Sequence, residues 1–128
     1  MTPEAALERA RHHRDHDWDW RLVALALEAA WAVPRDKRTH EHSSIMAWPS
    51  QFIIITSSDD DGGEEAGRMR VCCHIRSQAK ASRGYYTINQ LLKGRGVKRS
   101  TFERCWRSAC KLIAAALNQD RARDTLSG

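Results

Sequence analysis

The chain has 128 residues, with 21 lysines and arginines against 16 aspartates and glutamates, so its formal net charge is +5. Its length fits one domain with a modest core. No run of about 18 apolar residues exists to span a bilayer, and residues 1–16 are too polar for a secretory signal. We therefore expect a cytoplasmic protein with no membrane partner.

Charge is divided unevenly along the chain. Residues 1–67 carry seven basic and thirteen acidic residues, a net charge of −6. Residues 68–111 carry twelve basic residues and one acid, Glu103, a net charge of +11. A charge distribution this uneven produces a positive electrostatic field around the basic part of the chain, which favours a polyanionic partner for that part.

Two helices are predicted in the N-terminal part. Thr2 offers a capping hydroxyl, followed by proline at the first helical position and an acid in the first turn, so a short helix should run to about Arg14. A second helix should begin near Asp17 or Asp19 and end before Pro34. Its apolar residues recur at helical spacing: Leu22, Val23, Ala26, Leu27 and Ala30.

The segment that follows gives mixed signals. Residues 35–42 are polar and are predicted to form a loop. In residues 43–56, Pro49 disfavours a helical backbone at Trp48, and the β-branched residues before position 57 would suit a strand. Because no second strand is present to pair with it, we expect a short helix or an extended segment packed on a bundle of helices.

Residues 57–67 are predicted to be a flexible acidic linker, because they hold five acids and three glycines and no large apolar side chain. The linker divides the chain into an N-terminal helical segment, residues 1–56, and a basic region, residues 68–118. We expect residues 119–128 to be a disordered tail.

The basic region is predicted to begin with a support helix over residues 68–82. Thr87 and Gln90 then have the spacing of a capping box at the start of a short helix, Ile88–Lys93. Two glycines supply the permissive backbone of a tight turn after this helix: Gly94 and Gly96.

A longer amphipathic helix follows the turn. It carries a second capping box, Ser100 with Glu103, although Lys98 could equally be its first residue. One face is apolar and suits a core: Phe102, Trp106, Ala109, Ile113 and Ala116. The opposite face is polar and basic: Ser100, Arg104, Arg107 and Lys111. The sequence therefore predicts a mainly α fold, a small helical bundle with a C-terminal helix-turn-helix.

Residues 68–118 are accordingly predicted to bind double-stranded DNA. In a helix-turn-helix the second helix lies in the major groove, with its first residues near base edges and its later residues near phosphates. The candidate base-reading residues are Arg99, Ser100, Thr101 and Arg104. The candidate phosphate contacts are Lys93, Arg95, Lys98, Arg107 and Lys111. We predict a DNA-binding transcriptional regulator, and a homodimer is left open because such proteins often pair to read two half-sites.

A family resemblance points in the same direction. The stretch from Leu91 to Asn118, in which Gly96–Phe102 reads GVKRSTF, resembles the C-terminal helix-turn-helix of region-four-type sigma factor domains and of small phage or prophage proteins. Upstream, the helix that ends at Pro34 and the Ala47-Trp48-Pro49 step are similar to an uncharacterised family of prophage proteins. The resemblance implies a phage-type activator or antiterminator-like factor, or a related DNA-packaging recognition subunit.

Metal, cofactor and catalytic roles are not expected. The four cysteines lack CxxC spacing, which favours reduced, mostly buried thiols over a disulfide framework or a zinc site. The six histidines, of which His12 and His16 could share a helix face, lack a third ligand at fixed spacing. No phosphate-cradling loop, nucleophile elbow or HExxH motif is present, so we predict no enzymatic activity.

The alternative function is a protein-interaction module. In that reading, the acidic and tryptophan-containing N-terminal part binds RNA polymerase or another host protein. A further hypothesis is that the acids of residues 59–65 fold against the basic face and weaken non-specific DNA binding.

Overall fold

The computed structural model describes residues 2–11, 17–53, 60–82 and 84–127. Within these ranges the chain forms α-helices, one 3-10 turn at Arg35–Lys37 and no strand, so the prediction of a mainly α fold is confirmed. The helices are α1 (Pro3–Arg11), α2 (Trp20–Ala32), α3 (His40–Met46), α4 (Trp48–Phe52), α5 (Asp60–Ala81), α6 (Ile88–Arg95) and α7 (Arg99–Ser127). None of these combines the length and apolar composition that crossing a bilayer requires.

The first helix begins at the predicted cap, and the second begins at Asp19, one of the two predicted starts. The Oγ1 atom of Thr2 accepts a hydrogen bond from the backbone N–H of Ala5 at 3.1 Å. The Oδ1 atom of Asp19 accepts from the backbone N–H of Leu22 at 2.8 Å and so starts α2. The predicted extension of α1 to about Arg14 lies outside the described residues.

The loop predicted over residues 35–42 is found only as far as residue 39, where it contains the 3-10 turn, and residues 40–42 are helical. A capping box starts α3 at His40, because the Thr39 hydroxyl accepts from the His42 N–H at 3.4 Å and His42 Nδ1 accepts from the Thr39 N–H at 3.0 Å. Histidine replaces the usual Glu or Gln of this box, which hid the signal.

Pro49 does not exclude Trp48 from a helix, contrary to the sequence-based expectation. Trp48 is the first residue of α4, and Pro49 lies in the first turn, where its missing N–H has no intrahelical partner to lose. Of the two alternatives predicted for residues 43–56, short helices are therefore found as far as Phe52.

The flexible linker predicted over residues 57–67 is helical from Asp60 onward. Ala66 and Met69 of this helix are buried, so tertiary packing of one helical face outweighs the low helix propensity of the glycines. The tail predicted over residues 119–128 continues α7 as far as Ser127. No glycine or proline interrupts the chain between Asn118 and Ser127, so nothing in the sequence ends the helix earlier.

The main core is built around α2 and α7, and α5 closes it. Val23, Leu27 and Ile113 are fully or almost fully buried within it. Two aromatic contacts tie distant parts of the chain together: Trp18 packs edge-on against Trp48 at 5.3 Å, and Trp31 packs against Trp106 at 5.8 Å between ring centroids. The acidic part of the sequence thus shares one core with the basic part.

A second, smaller cluster joins α5, α6 and the start of α7. Its buried members are Cys72, Ile75, Leu92 and Phe102, with half-buried Ile88, Leu91, Val97 and Cys105 around them. This cluster fixes how α6 and the first turns of α7 stand on the support helix α5.

Candidate nucleic-acid interface

Helix α6 begins with the predicted capping box, but it ends at Arg95, two residues beyond the predicted end at Lys93, so Gly94 lies inside the helix and not in the turn. Thr87 Oγ1 accepts from the Gln90 N–H at 3.2 Å, and Gln90 Oε1 accepts from the Thr87 N–H at 3.0 Å. At the other end of α6, Gly96 adopts the left-handed conformation with φ of 67°. The N–H of Val97 then donates to the carbonyl of Leu92 at 3.1 Å, which closes the helix end and reverses the chain.

The predicted capping box of Ser100 with Glu103 does not start α7. The helix begins one residue earlier, at Arg99, and the carbonyl of Lys98 accepts its first hydrogen bond, from the Phe102 N–H at 3.0 Å. Glu103 makes ion pairs instead, since two arginines lie close enough to hold its carboxylate.

All nine predicted DNA-contacting residues are exposed. Lys93 and Arg95 lie in the last turn of α6, and Lys98 lies immediately before α7. The remaining six follow along α7: Arg99, Ser100, Thr101, Arg104, Arg107 and Lys111. Ser100 and Lys111 share one outward face with Arg104 and Arg107, a strip that extends over roughly 16 Å at the rise of an α-helix.

The predicted core face of α7 points inward. Phe102, Trp106, Ala109 and Ile113 are buried, whereas Ala116 is only half-buried. Cys110 and Leu117 are also buried, and they complete the inward stripe. Burial of this stripe holds the opposite, basic strip toward solvent.

Arg99 makes three contacts within the protein, which bear on its predicted base-reading role: its guanidinium lies over the Phe102 ring at 5.9 Å, and it donates two hydrogen bonds. Its Nε donates to Glu103 Oε1 at 2.8 Å, and its Nη1 donates to Asn89 Oδ1 at 2.8 Å. Arg99 therefore joins α6 to α7 across the turn. Its guanidinium is held by these partners, whereas Arg104, five residues later, forms no salt bridge among the described residues.

A largely buried arginine supports the interface from behind. Arg76 of α5 pairs with Glu103 at 3.1 Å and with Glu28 of α2 at 3.5 Å. Its guanidinium also lies over the rings of Phe102 at 5.2 Å and Trp106 at 5.0 Å. Glu103, the one acid of residues 68–111, is thus held by Arg76 and Arg99 and offers less negative charge to an approaching anion.

Two residues of the interface region were missed by the sequence analysis. Arg107 lies over the ring of Trp20 at 5.0 Å, and Arg21 lies over the same ring at 5.5 Å. Trp20 and Arg21 belong to α2, far from Arg107 in sequence. The position of Trp20 and Arg21 beside Arg107 has no sequence signal, since it depends on how α2 packs against α7.

Two cavities flank α7. One, of about 460 Å³, is apolar and lies between α5 and α7, where Val71, Ile75 and Phe102 line it. The other, of about 390 Å³, places Glu65 of α5 in the same cleft as Thr101 and Arg104. An acid from the predicted linker therefore lies beside the basic strip, although as part of a helix.

The surroundings of the buried cysteines lower the reactivity of their thiols. Burial raises the pKa of the Cys72 and Cys73 thiols to about 12, and burial also raises the pKa of Cys110. These thiols are protonated at neutral pH and are poor nucleophiles and metal ligands in that state. Among the residues that the structure describes, no three potential metal-ligating side chains come together; His12 and His16 lie outside them.

Comparison with protein-family models, with curated proteins and with solved structures gave no match to this chain.

Proposed function

We propose that α6 and α7, standing on α5, form a helix-turn-helix that binds double-stranded DNA, and that the protein regulates transcription through this binding. The observation that carries the proposal is the exposed basic strip of α7 beside a glycine-capped turn. The protein acts in this proposal by binding, without catalysis.

The proposed docking follows from the position of each residue on α7. The first turns of the helix enter the major groove, so Ser100, Thr101 and Arg104 face base edges. Arginine suits this role because its guanidinium can donate two hydrogen bonds to guanine. Arg99 is assigned to bracing the turn, since Glu103 and Asn89 already accept its hydrogen bonds.

The phosphate contacts in this proposal lie on both sides of the groove. They are Lys93, Arg95, Lys98, Arg107 and Lys111, all of them exposed. Five neutralised phosphates would give a slope of roughly −4 to −5 for log affinity against log salt concentration.

The alternative of a tryptophan-based protein-interaction surface has weaker support. Trp18, Trp31 and Trp48 are buried in the core and are not accessible to a partner. The resemblance to phage regulators also implies RNA polymerase or another host protein as an additional partner. The basic strip of α7 favours DNA as the main partner.

Fluorescence anisotropy with a labelled duplex of mixed sequence, measured across a salt series, tests the proposal. We expect Arg104→Glu to weaken binding by about tenfold or more, because it places a carboxylate in the groove. Lys37→Glu is the matched control: it makes the same charge change at an exposed position of the 3-10 turn.

Equal affinities for the Arg104→Glu and Lys37→Glu variants would refute the proposed interface. Absence of binding by the unmodified protein at low salt would refute DNA binding altogether.

A further inference from the structure

A cluster of two arginines and one tryptophan lies where α2 meets α7. Trp20, the first residue of α2, is half-buried and has guanidinium groups over its ring from Arg21 at 5.5 Å and from Arg107 at 5.0 Å. The two arginines lie far apart in the sequence, and each has its guanidinium within 5.5 Å of the centre of the same ring.

The cluster suits an anion better than Arg76 and Arg99 do. A guanidinium that lies over an aromatic ring is restrained in position, while the N–H groups at its edge stay available for hydrogen bonds. Among the described residues, neither Arg21 nor Arg107 forms a salt bridge, whereas Arg76 and Arg99 are both paired with Glu103.

The nearest acid in the sequence, Asp19, is already engaged. Its carboxylate accepts the Leu22 N–H at the start of α2, where the positive end of the helix dipole partly offsets its charge. The carboxylate of Asp19 is therefore directed to the backbone of α2.

The cluster is continuous with the basic strip of α7. Arg107 belongs to that strip and also touches Trp20, so Arg21 extends the strip from α7 onto α2. Arg107 lies eight residues beyond the start of α7, about 12 Å along the helix axis. At that distance the recognition helix of such a module leaves the groove and meets the phosphate backbone.

We propose that Arg21 and Arg107, held by Trp20, form a phosphate-backbone contact for duplex DNA, so that α2 contributes to the DNA-binding surface. This inference rests on the proposed function of the α6–α7 unit. It assigns the N-terminal part of the chain a direct binding role, despite the net negative charge of that part.

Salt-dependent anisotropy with a mixed-sequence duplex tests the assignment through Arg21→Ala. We expect affinity at low salt to fall about three- to tenfold, and the slope of log affinity against log salt to become less steep by about 1, because one phosphate contact is lost. The control is Arg35→Ala, which removes an exposed arginine beyond the far end of α2 and should change neither quantity.

A second variant tests the role of the ring. Trp20→Leu removes the surface that holds both guanidinium groups, and we expect it to weaken binding at least as much as Arg21→Ala does. Circular dichroism shows whether each variant is folded. If the Trp20→Leu variant is not folded, the test depends on the Arg21→Ala variant alone.

The outcomes separate this inference from the proposed function. If Arg104→Glu abolishes binding while Arg21→Ala matches Arg35→Ala, the phosphate contact is refuted and the α6–α7 interface stands. If Arg21→Ala weakens binding and Arg104→Glu does not, the cluster binds DNA and the proposed docking of α7 is wrong.

Discussion

At the scale of single residues, the turn between α6 and α7 depends on the backbone freedom of one glycine. Gly96 has a φ of 67°, in the left-handed region that side chains with a Cβ disfavour. Gly94, two residues earlier, lies inside α6, and a Cβ added there would meet no atom within 4 Å. The two glycines are therefore not equivalent.

We expect Gly96→Ala to lower the free energy of unfolding by about 1 kcal/mol, because alanine is strained in the left-handed conformation. Gly94→Ala is the matched control and should raise the stability by up to about 1 kcal/mol, since alanine is a better helix former. Urea denaturation measures both values. Equal stabilities for the two variants would contradict the assigned turn geometry.

At the scale of helices, Arg76 connects three elements that form the core and the interface. From α5 it reaches Glu28 of α2 and Glu103 of α7, and it lies over two aromatic rings of α7. Its side chain is 12% exposed, whereas those of Glu28 and Glu103 are 23% and 39% exposed. The carboxylates can therefore recover some hydration if the arginine is removed.

Arg76→Ala is expected to lower the free energy of unfolding by about 2 kcal/mol, through lost packing and the loss of its ion pairs with Glu28 and Glu103, of which Glu103 keeps its pair with Arg99. The estimate stays below the cost of breaking a fully buried pair because both acids touch water. Gln78→Ala, an exposed position on the same helix, should change stability by less than about 0.5 kcal/mol. Guanidinium chloride denaturation compares the two, and a similar loss in both would argue against the bridging role of Arg76.

At the scale of the whole molecule, the acidic and basic parts of the chain share a core that encloses several thiols. Cys73 and Cys110 lie within that core, and Cys72 lies in the smaller cluster under the turn. Burial raises the pKa of Cys72 and Cys73 from the ordinary 9.0 to about 12. Folding therefore suppresses ionisation that these thiols undergo readily in the unfolded chain.

The stability of the protein should fall at alkaline pH for this reason. The contribution of each thiol to the free energy of unfolding is unchanged below about pH 9. It is lost progressively between the pKa of 9.0 in the unfolded chain and the pKa of about 12 in the folded protein, because the unfolded chain releases its proton first. At about pH 10 the loss amounts to about 1 kcal/mol for each buried thiol.

Denaturation under reducing conditions at neutral pH and at about pH 10 measures this effect. Cys73→Ala should lose about 1 kcal/mol less than the unmodified protein over that interval, since the other titrating groups are common to both. An identical loss in the two proteins would show that Cys73 is accessible to solvent.

The sequence by itself determined the features that depend on neighbours within one or two helical turns. The caps at Thr2, Asp19 and Thr87, the left-handed glycine after α6 and the inward stripe of α7 all follow from such local spacing. The exposure of the outward face of α7, with Ser100, Arg104, Arg107 and Lys111, follows as well, because burial of one helix face directs the opposite face to solvent.

Only the tertiary structure determined which contacts form between residues that are far apart along the chain. It made the glycine-rich start of α5 helical, paired Arg99 with Glu103, and placed the guanidinium groups of Arg21 and Arg107 over one tryptophan ring. The physical reason is that an arginine is suited equally to a carboxylate, an aromatic ring or a phosphate. Which of these it meets depends on the packing of α2, α5 and α7, and no local spacing encodes that packing.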